Sequence, residues 1–145
     1  MTTLTRNNAS ITNRAEIRVR YAETDKMKVV YNGNYLTYFE VGRTELLRAC
    51  GLPYPELERT GFLLPVLEAH VKYKMSAVYD DVLSIYATYT LERIPTIRID
   101  YLIKRGDDEI ASGYTVHPFV AAETMKPVRP PKVFFEAIER ALEHT

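Results

Sequence analysis

The apolar residues of the chain follow two different periods. In residues 15–22, AEIRVRYA, the apolar side chains Ile17, Val19 and Tyr21 alternate with charged ones. Alternation of this kind predicts a β-strand with one face buried. From residue 34 to residue 50 the apolar positions recur at helical spacings instead, which predicts a helix of about 16 residues, roughly 24 Å long.

The predicted helix is apolar over much of its circumference. Its apolar positions are Leu36, Phe39, Leu46, Leu47 and Cys50, with Tyr35 and Tyr38 beside them. Asn32 or Asn34 can cap the start of the helix, and Gly51 followed by Pro53 is typical of a helix end. So wide an apolar face has to be covered, and we expect other elements to wrap around this helix.

The remainder of the chain is mostly predicted strand. Four long segments are rich in β-branched and aromatic residues: 62–75, 81–94, 96–105 and 110–122. The sequence GDDE at 106–109 predicts a hairpin turn. A short helix or turn is predicted at 53–61, and Pro131 opens a predicted terminal helix at 132–144. This order indicates an α+β fold in which an antiparallel sheet wraps around the long central helix.

Length and charge narrow the function. The chain has 145 residues, enough for one domain with a sizeable core. Its 19 basic residues balance 19 acidic ones, so charge does not indicate a nucleic-acid or anionic membrane partner. The single cysteine, Cys50, excludes an internal disulfide and a cysteine-based metal cluster, and fits a reducing compartment. No apolar segment approaches the roughly 20 residues that span a bilayer, and we expect a soluble cytoplasmic protein.

The N-terminal residues differ in composition from the rest. Residues 1–13, MTTLTRNNASITN, combine Asn, Ser, Thr and Arg and lack helical amphipathicity. This composition predicts a disordered N-terminal tail rather than a transit peptide. Residues 14–145 are then expected to form a single folded domain.

One segment resembles a known signature. Residues 21–48, YAETDKMKVVYNGNYLTYFEVGRTELLR, are similar to the pattern D-x-x-G-x-V-Y-x-x-x-Y of hotdog-fold acyl-CoA thioesterases of the 4-hydroxybenzoyl-CoA thioesterase type, with its later aromatic-acidic pair and Arg-Thr-Glu. The matching residues are Asp25, Val30, Tyr31, Tyr35, Phe39, Glu40, Arg43, Thr44 and Glu45. More generic similarity extends over residues 14–131. The chain departs from the pattern at Lys28, where the family usually has Gly, and at Asn32, often His or Tyr in relatives.

The resemblance implies a hotdog fold and the hydrolysis of acyl-CoA thioesters. Members of the family assemble as dimers and often as tetramers, with sites at the subunit interface. A homo-oligomer, either a dimer or a homotetramer, is therefore expected here, with acyl-CoA as the substrate. The resemblance implies no metal and no other cofactor.

Thioester hydrolysis requires few groups. The carbonyl is activated and the thiolate leaves readily, so the reaction needs a carboxylate and donors for the developing oxyanion. By the resemblance, Asp25 is the carboxylate, as general base or nucleophile, and the backbone N–H of Asn32 is the oxyanion donor at the positive end of the helix. Without the resemblance, the simpler interpretation is that Asp25 is a turn or helix-cap residue. Glu23 is then a solvated residue beside it. Glu40 and Arg43 are expected to form structural pairs, and Glu40 is the second candidate for the catalytic carboxylate.

Candidate substrate contacts lie in two places. Tyr31 and Tyr35 could line the acyl pocket, although aromatic residues beside a helix start are as often part of a core. Arg93 lies where relatives place basic contacts to the phosphates of coenzyme A, and Thr96 is assigned to the same contact set. The alternative for Arg93 is a solvated charged face. These residues suit an aromatic acyl group and a medium-length aliphatic one equally well.

Other functions fit parts of the sequence. A hotdog acyl-thioester dehydratase needs a catalytic His, but His70, His117 and His144 all lie outside the predicted central helix. We expect the first two to be buried and hydrogen-bonded. A non-catalytic acyl-CoA-binding or sensing module would use the same pocket without turnover, and the thiol carrier could be an acyl carrier protein instead of coenzyme A.

Overall fold

The computed structural model describes residues 2–7 and 9–143, which form an α+β structure. Its strands are β1 (Thr2–Asn7), β2 (Ser10–Arg18), β3 (Phe62–Leu63), β4 (Glu68–Tyr73), β5 (Val82–Thr90), β6 (Thr96–Arg105), β7 (Asp108–Ala121) and β8 (Pro127–Val128). Its helices are α1 (Asn34–Ala49), α2 (Tyr54–Arg59) and α3 (Lys132–Glu143), and a 3₁₀ turn spans Tyr21–Glu23.

The strands form one sheet of eight strands in which every pairing is antiparallel. Strands β1, β2, β5, β6 and β7 are neighbours in that order, and β3, β4 and β8 all pair with β7. Ala15, Ile85, Ile103 and Ala111 stand in register across four of these strands and are all buried. This buried row lies on the face of the sheet that covers α1.

Helix α1 packs tightly against the centre of the sheet. A Cβ atom on Gly42 would stand only 2.7 Å from Cγ2 of Ile85, so glycine allows the helix backbone to approach β5 closely. One turn earlier, the ring of Phe39 stacks on the ring of Tyr101 with a centroid distance of 4.2 Å. The expectation of an antiparallel sheet around a long apolar helix is confirmed.

The N-terminal residues do not form the disordered tail that their composition predicted. The structure contradicts this prediction for residues 2–7 and 10–13, which lie in β1 and β2, whereas residues 1 and 8 lie outside the described part. In β2 the residues Ile11, Asn13 and Ala15 alternate inward and are buried. The polar Asn13 interrupts the apolar alternation, so the strand predicted at 15–22 begins earlier than its pattern indicated and ends at Arg18.

Two other predicted elements differ from the observed ones. The long strand expected at 62–75 is divided into β3 and β4, because Pro65 between them cannot donate a ladder hydrogen bond. The strand expected at 81–94 ends at Thr90. The remaining elements follow their predicted positions closely; the last residue of the predicted terminal helix, His144, lies outside the described residues.

The two histidines in the described part of the chain differ in burial. His117 is fully buried, as expected, but His70 is exposed on β4 and stacks on the ring of Tyr114, so the prediction that it is buried was wrong. Cys50 is buried in the core, and this burial raises the pKa of its thiol to about 11. Within residues 2–7 and 9–143, no helix is long and apolar enough to cross a membrane.

Candidate functional site

Asp25 lies on a small β-hairpin between the 3₁₀ turn and α1. Thr24 and Val30 pair across this hairpin, and the N–H of Tyr31 donates to the carbonyl of Glu23 at 2.9 Å. At the tip, the N–H of Asp25 donates to Val29 O and the N–H of Lys28 donates to Asp25 O, both at 2.9 Å. Residues 26–28 therefore close the hairpin as a short loop of a common kind.

Lys28 has a left-handed backbone conformation, with φ of 64°. Loops of this kind often place a residue in the left-handed region after a turn, and glycine adopts this conformation without a steric penalty. The family pattern has Gly at the position of Lys28. In this chain a lysine adopts the left-handed conformation, which strains the loop backbone.

The Asp25 carboxylate is exposed and takes part in the turn. Its Oδ1 accepts a hydrogen bond of 2.8 Å from the N–H of Met27, which is the turn role considered above. No donor among the described residues contacts Oδ2. One carboxylate oxygen is thus held by the loop while the other is available to water or to a substrate.

Helix α1 begins directly after this hairpin, with Gly33 as its N-cap residue. Neither Asn32 nor Asn34 caps it with a side chain, contrary to the prediction; the Asn34 side chain donates to Glu23 O at 2.8 Å instead. The N–H groups of Asn32 and Gly33 donate no hydrogen bond to any group in the described part of the chain. Unpaired N–H groups at the positive end of a helix suit an oxyanion.

A pocket of about 150 Å³ lies beside this helix start. Its lining comprises Val29, Val30, Asn32, Tyr35, Tyr73, Lys74, Met75 and Ser76. The hydroxyl of Tyr73 donates to the carbonyl of Asn32 at 3.1 Å, and its ring contacts the ring of Tyr35 edge-on with a centroid distance of 5.3 Å. Tyr35 is therefore both a core residue and part of the pocket wall.

Tyr31, which was also predicted as a wall of the acyl pocket, does not line it. Its side chain is 58% exposed, and its ring lies over Gly33. The structure thus brings Asn32 and Tyr35 together in one pocket and places Asp25 and Tyr31 on the adjoining hairpin.

Arg93 and Thr96 lie far from this pocket within one chain. The hairpin joins the beginning of β5 through the pairing of Val29 with Val78, whereas Arg93 and Thr96 follow the end of β5. A strand of this length, with the linking residues, separates the two places by roughly 30 Å. Arg93 forms an ion pair with Glu139, and its guanidinium lies 5.0 Å from the centre of the Phe135 ring.

Glu40 and Arg43, for which structural pairs were expected, do not form an ion pair with each other. Within residues 2–7 and 9–143, Arg43 has no carboxylate within 4.0 Å and instead donates to the hydroxyl of Tyr101 at 3.1 Å. Glu40 is exposed and lines, together with Arg43 and Pro65, a cavity of about 360 Å³. Glu40 therefore carries an accessible carboxylate farther along α1 than the helix start.

Three residues near the helix start have roles that the sequence did not predict: Glu23, Asn34 and Tyr38. Glu23 is not a solvated neighbour, since its side chain is only 13% exposed. The hydroxyl of Tyr38 donates to Glu23 Oε1 at 3.0 Å. The only sequence signal for this role is the spacing of Glu23 three residues after Arg20, which allows a local hydrogen-bonded turn.

The chain is similar to known proteins in sequence and in fold. A sequence model of the thioesterase-like superfamily matches residues 19–138, which include the hairpin, α1 and the pocket. The chain belongs to this superfamily. Its hotdog fold is shared with the DHNA-CoA thioesterase of Staphylococcus aureus, which has a TM-score of 0.82 and 31% identity over 89% of each chain.

Other members of the superfamily are similar in sequence. The acyl-CoA thioesterase YbgC of Haemophilus influenzae is 29% identical over 119 residues, which cover 80% of this chain and 86% of that protein. YneP of Bacillus subtilis is 47% identical over 66 residues, so the match spans only 46% of this chain and 48% of that protein. Both relatives are named as acyl-CoA thioesterases.

Proposed function

We propose that the protein hydrolyses acyl-CoA thioesters. The observation that carries the proposal is that Asp25 lies on the hairpin that leads directly into the helix start, where the N–H groups of Asn32 and Gly33 are unpaired, in a member of the thioesterase-like superfamily. The names of the Haemophilus influenzae and Staphylococcus aureus relatives support coenzyme A as the thiol carrier. The 4-hydroxybenzoyl-CoA type, to which the sequence pattern points, is part of the proposal.

The chemistry uses the groups at the helix start. Asp25 takes a proton from a water molecule as the water oxygen bonds to the thioester carbon, or its own Oδ2 attacks that carbon and water later hydrolyses the anhydride. The carbonyl oxygen then gains negative charge, which the N–H groups of Asn32 and Gly33 stabilise. The C–S bond breaks, and the departing thiolate takes a proton from solvent or from Asp25.

The acyl group is proposed to enter the pocket between the hairpin, α1 and β4. The aromatic walls of Tyr35 and Tyr73 suit a ring or a short aliphatic chain. Because Tyr31 is exposed beside the pocket, its contact with an acyl group would depend on the bound ligand or on a second subunit.

A second subunit is needed if Arg93 and Thr96 contact the same substrate molecule. Within one subunit, Arg93 and Thr96 lie roughly 30 Å from Asp25. We therefore propose a homo-oligomer, either a dimer or a tetramer, in which these two residues approach Asp25 of a partner subunit. Exposed apolar side chains near the site support this assembly: Tyr31, Leu36, Tyr73 and Met75. Strand β4 also leaves one edge without a partner strand in the described chain.

The first experiment measures thiol release from a panel of aromatic and aliphatic acyl-CoAs. We expect turnover by the wild type and a loss of about a hundredfold or more in kcat for Asp25→Asn, with unchanged oligomer size by analytical ultracentrifugation. Asp107→Asn is the matched control, because Asp107 is an exposed turn residue between β6 and β7. Its kcat should equal that of the wild type.

Other outcomes would replace the proposal. Turnover that survives Asp25→Asn but is lost in Glu40→Gln would move the catalytic carboxylate to α1. Saturable binding of acyl-CoA without thiol release would identify a binding or sensing module. Hydrolysis of acyl carrier protein thioesters alone would change the carrier.

A further inference from the structure

Glu23 connects the Asp25 hairpin to α1 through its backbone. Its carbonyl oxygen accepts two hydrogen bonds, one of 2.9 Å from the N–H of Tyr31 and one of 2.8 Å from Nδ2 of Asn34. The first bond closes the hairpin, and the second comes from the first residue of α1. One carbonyl therefore fixes the second arm of the hairpin and the helix start relative to each other.

The Glu23 side chain makes a second connection, deeper in the helix. Oε1 accepts from the N–H of Arg20 at 2.9 Å and from the hydroxyl of Tyr38 at 3.0 Å, and Oε2 accepts from Nε of Arg20 at 3.1 Å. Burial disfavours the charged carboxylate, but these hydrogen bonds outweigh burial and lower its pKa below the ordinary value. The carboxylate is therefore ionised and hydrogen-bonded through both oxygens, and it is not a solvated surface charge.

We propose that Glu23, with Asn34 and Tyr38, is a positioning residue that holds the Asp25 carboxylate at a fixed place relative to the N–H groups of Asn32 and Gly33. This inference rests on the proposed function for the roles of Asp25 and Asn32. It adds to that site the residue that joins the Asp25 hairpin to the start of α1.

The sequence positions explain why one residue can do this. Asp25 follows Glu23 closely on the first arm of the hairpin, and Asn32 directly follows Tyr31 on the second. The loop itself is exposed at Asp25 and Met27, so its own packing provides little restraint. Val29 and Val30 also tie the second arm of the hairpin to Val78 and Ala77. The bonds to Tyr38 and Asn34 are therefore the ones that fix the first arm, which leads to Asp25, against the helix start.

The main test is Tyr38→Phe, which removes one hydroxyl from a buried residue and keeps the ring. We expect kcat to fall between about tenfold and a hundredfold while KM changes less than twofold, since misplacing a catalytic group by about 1 Å has effects of this size. Tyr101→Phe is the matched control, because it removes a buried hydroxyl that bonds Arg43 and Thr115 away from the hairpin. Its kcat should stay close to the wild-type value.

A double variant separates positioning from a general loss of stability. If Tyr38 acts through Asp25, then Tyr38→Phe should have almost no further effect in the Asp25→Asn background. Multiplicative effects of the two substitutions on kcat would overturn the proposal. Glu23→Ala should reproduce the kcat loss of Tyr38→Phe or exceed it.

Amide hydrogen exchange tests the connection without relying on turnover. In Tyr38→Phe and Glu23→Ala, a peptide covering residues 23–32 should exchange at least about tenfold faster than in the wild type. Unchanged exchange would overturn the positioning role. Absence of thiol release by the wild type would instead count against the proposed function, and the exchange result would still decide whether Glu23 fixes the hairpin.

Discussion

The Nε2 atom of His117 lies 2.7 Å from the hydroxyl oxygen of Thr115, and both residues are buried. The other ring nitrogen, Nδ1, lies 3.1 Å from the carbonyl oxygen of Pro65, which can only accept. Nδ1 must therefore carry the proton, and Nε2 must accept from the Thr115 hydroxyl. Thr115 in turn accepts from the hydroxyl of Tyr101, and Tyr101 accepts from Arg43. Each hydrogen bond of this series is therefore donated towards His117.

This arrangement leads to a pH-dependent stability. Burial, with a smaller contribution from the positive charge of Arg43, lowers the pKa of His117 from 6.5 to about 4. Between these values the unfolded chain binds a proton that the folded chain does not. The free energy of unfolding should therefore fall as the pH drops below 6.5, by about 2 kcal/mol at pH 5. Urea denaturation at pH 7, 6 and 5 measures this loss.

The control for this prediction is His117→Gln, which retains hydrogen-bonding groups but cannot titrate. Its free energy of unfolding should change little between pH 7 and pH 5, although it should be lower than that of the wild type at pH 7. Parallel pH dependence in the two proteins would contradict the assignment to His117.

Asn13 offers a substitution that should stabilise the protein. Its side chain is fully buried in β2, and neither amide atom has a hydrogen-bond partner among the described residues. Burying an unpaired amide is unfavourable by about 1–3 kcal/mol, so Asn13→Leu, which keeps the branching at Cγ, should raise the free energy of unfolding by about 1 kcal/mol. Thermal denaturation would show this as a higher Tm.

Asn13→Asp is the matched control, because it keeps the shape and introduces a charge at the same place. It should lower the Tm strongly at pH 7. A lower Tm for Asn13→Leu would show that the site cannot hold the extra apolar volume or that the amide has a partner.

Lys28 tests the strain at the hairpin tip. Its φ of 64° is unfavourable for a lysine and permitted for a glycine, so Lys28→Gly should raise the free energy of unfolding by up to about 1 kcal/mol. Lys26→Gly, in the same loop, lacks a positive φ to relieve and should be neutral or destabilising. Equal effects of the two substitutions in urea denaturation would be inconsistent with strain at Lys28.

The fold could be predicted to a large extent because its main signals are local. The helical spacing of apolar residues between Tyr35 and Leu47 and the alternation in β6 each follow from one segment of the sequence. The strand character of the N-terminal residues was missed because Asn13 occupies a buried position where the pattern requires an apolar residue. Its inward direction follows from register with β5, which connects distant parts of the chain.

The candidate site was predictable only in part for a similar reason. The resemblance supplied Asp25 and Asn32, which lie only seven positions apart in the sequence, on the hairpin and at the start of α1. The role of Glu23 depends on Tyr38, which reaches it only because the first turns of α1 lie against the hairpin. The ion pair of Arg93 with Glu139 joins the connection between β5 and β6 to α3 and has no local signal in the sequence.

Substitution of Arg93 tests the proposed contact with coenzyme A. If Arg93 of one subunit binds a phosphate of coenzyme A, then Arg93→Ala should raise KM for an acyl-CoA about tenfold, since a lost charged hydrogen bond typically weakens binding by this amount. KM for the matching acyl-pantetheine, which lacks the nucleotide, should not change. Arg59→Ala, which removes an arginine paired with Glu56 on α2, is the control and should leave both KM values unchanged. An equal rise in KM for the two substrates would mean that Arg93 acts through the structure around Glu139 and Phe135, and unchanged KM values would leave the phosphates to other cations.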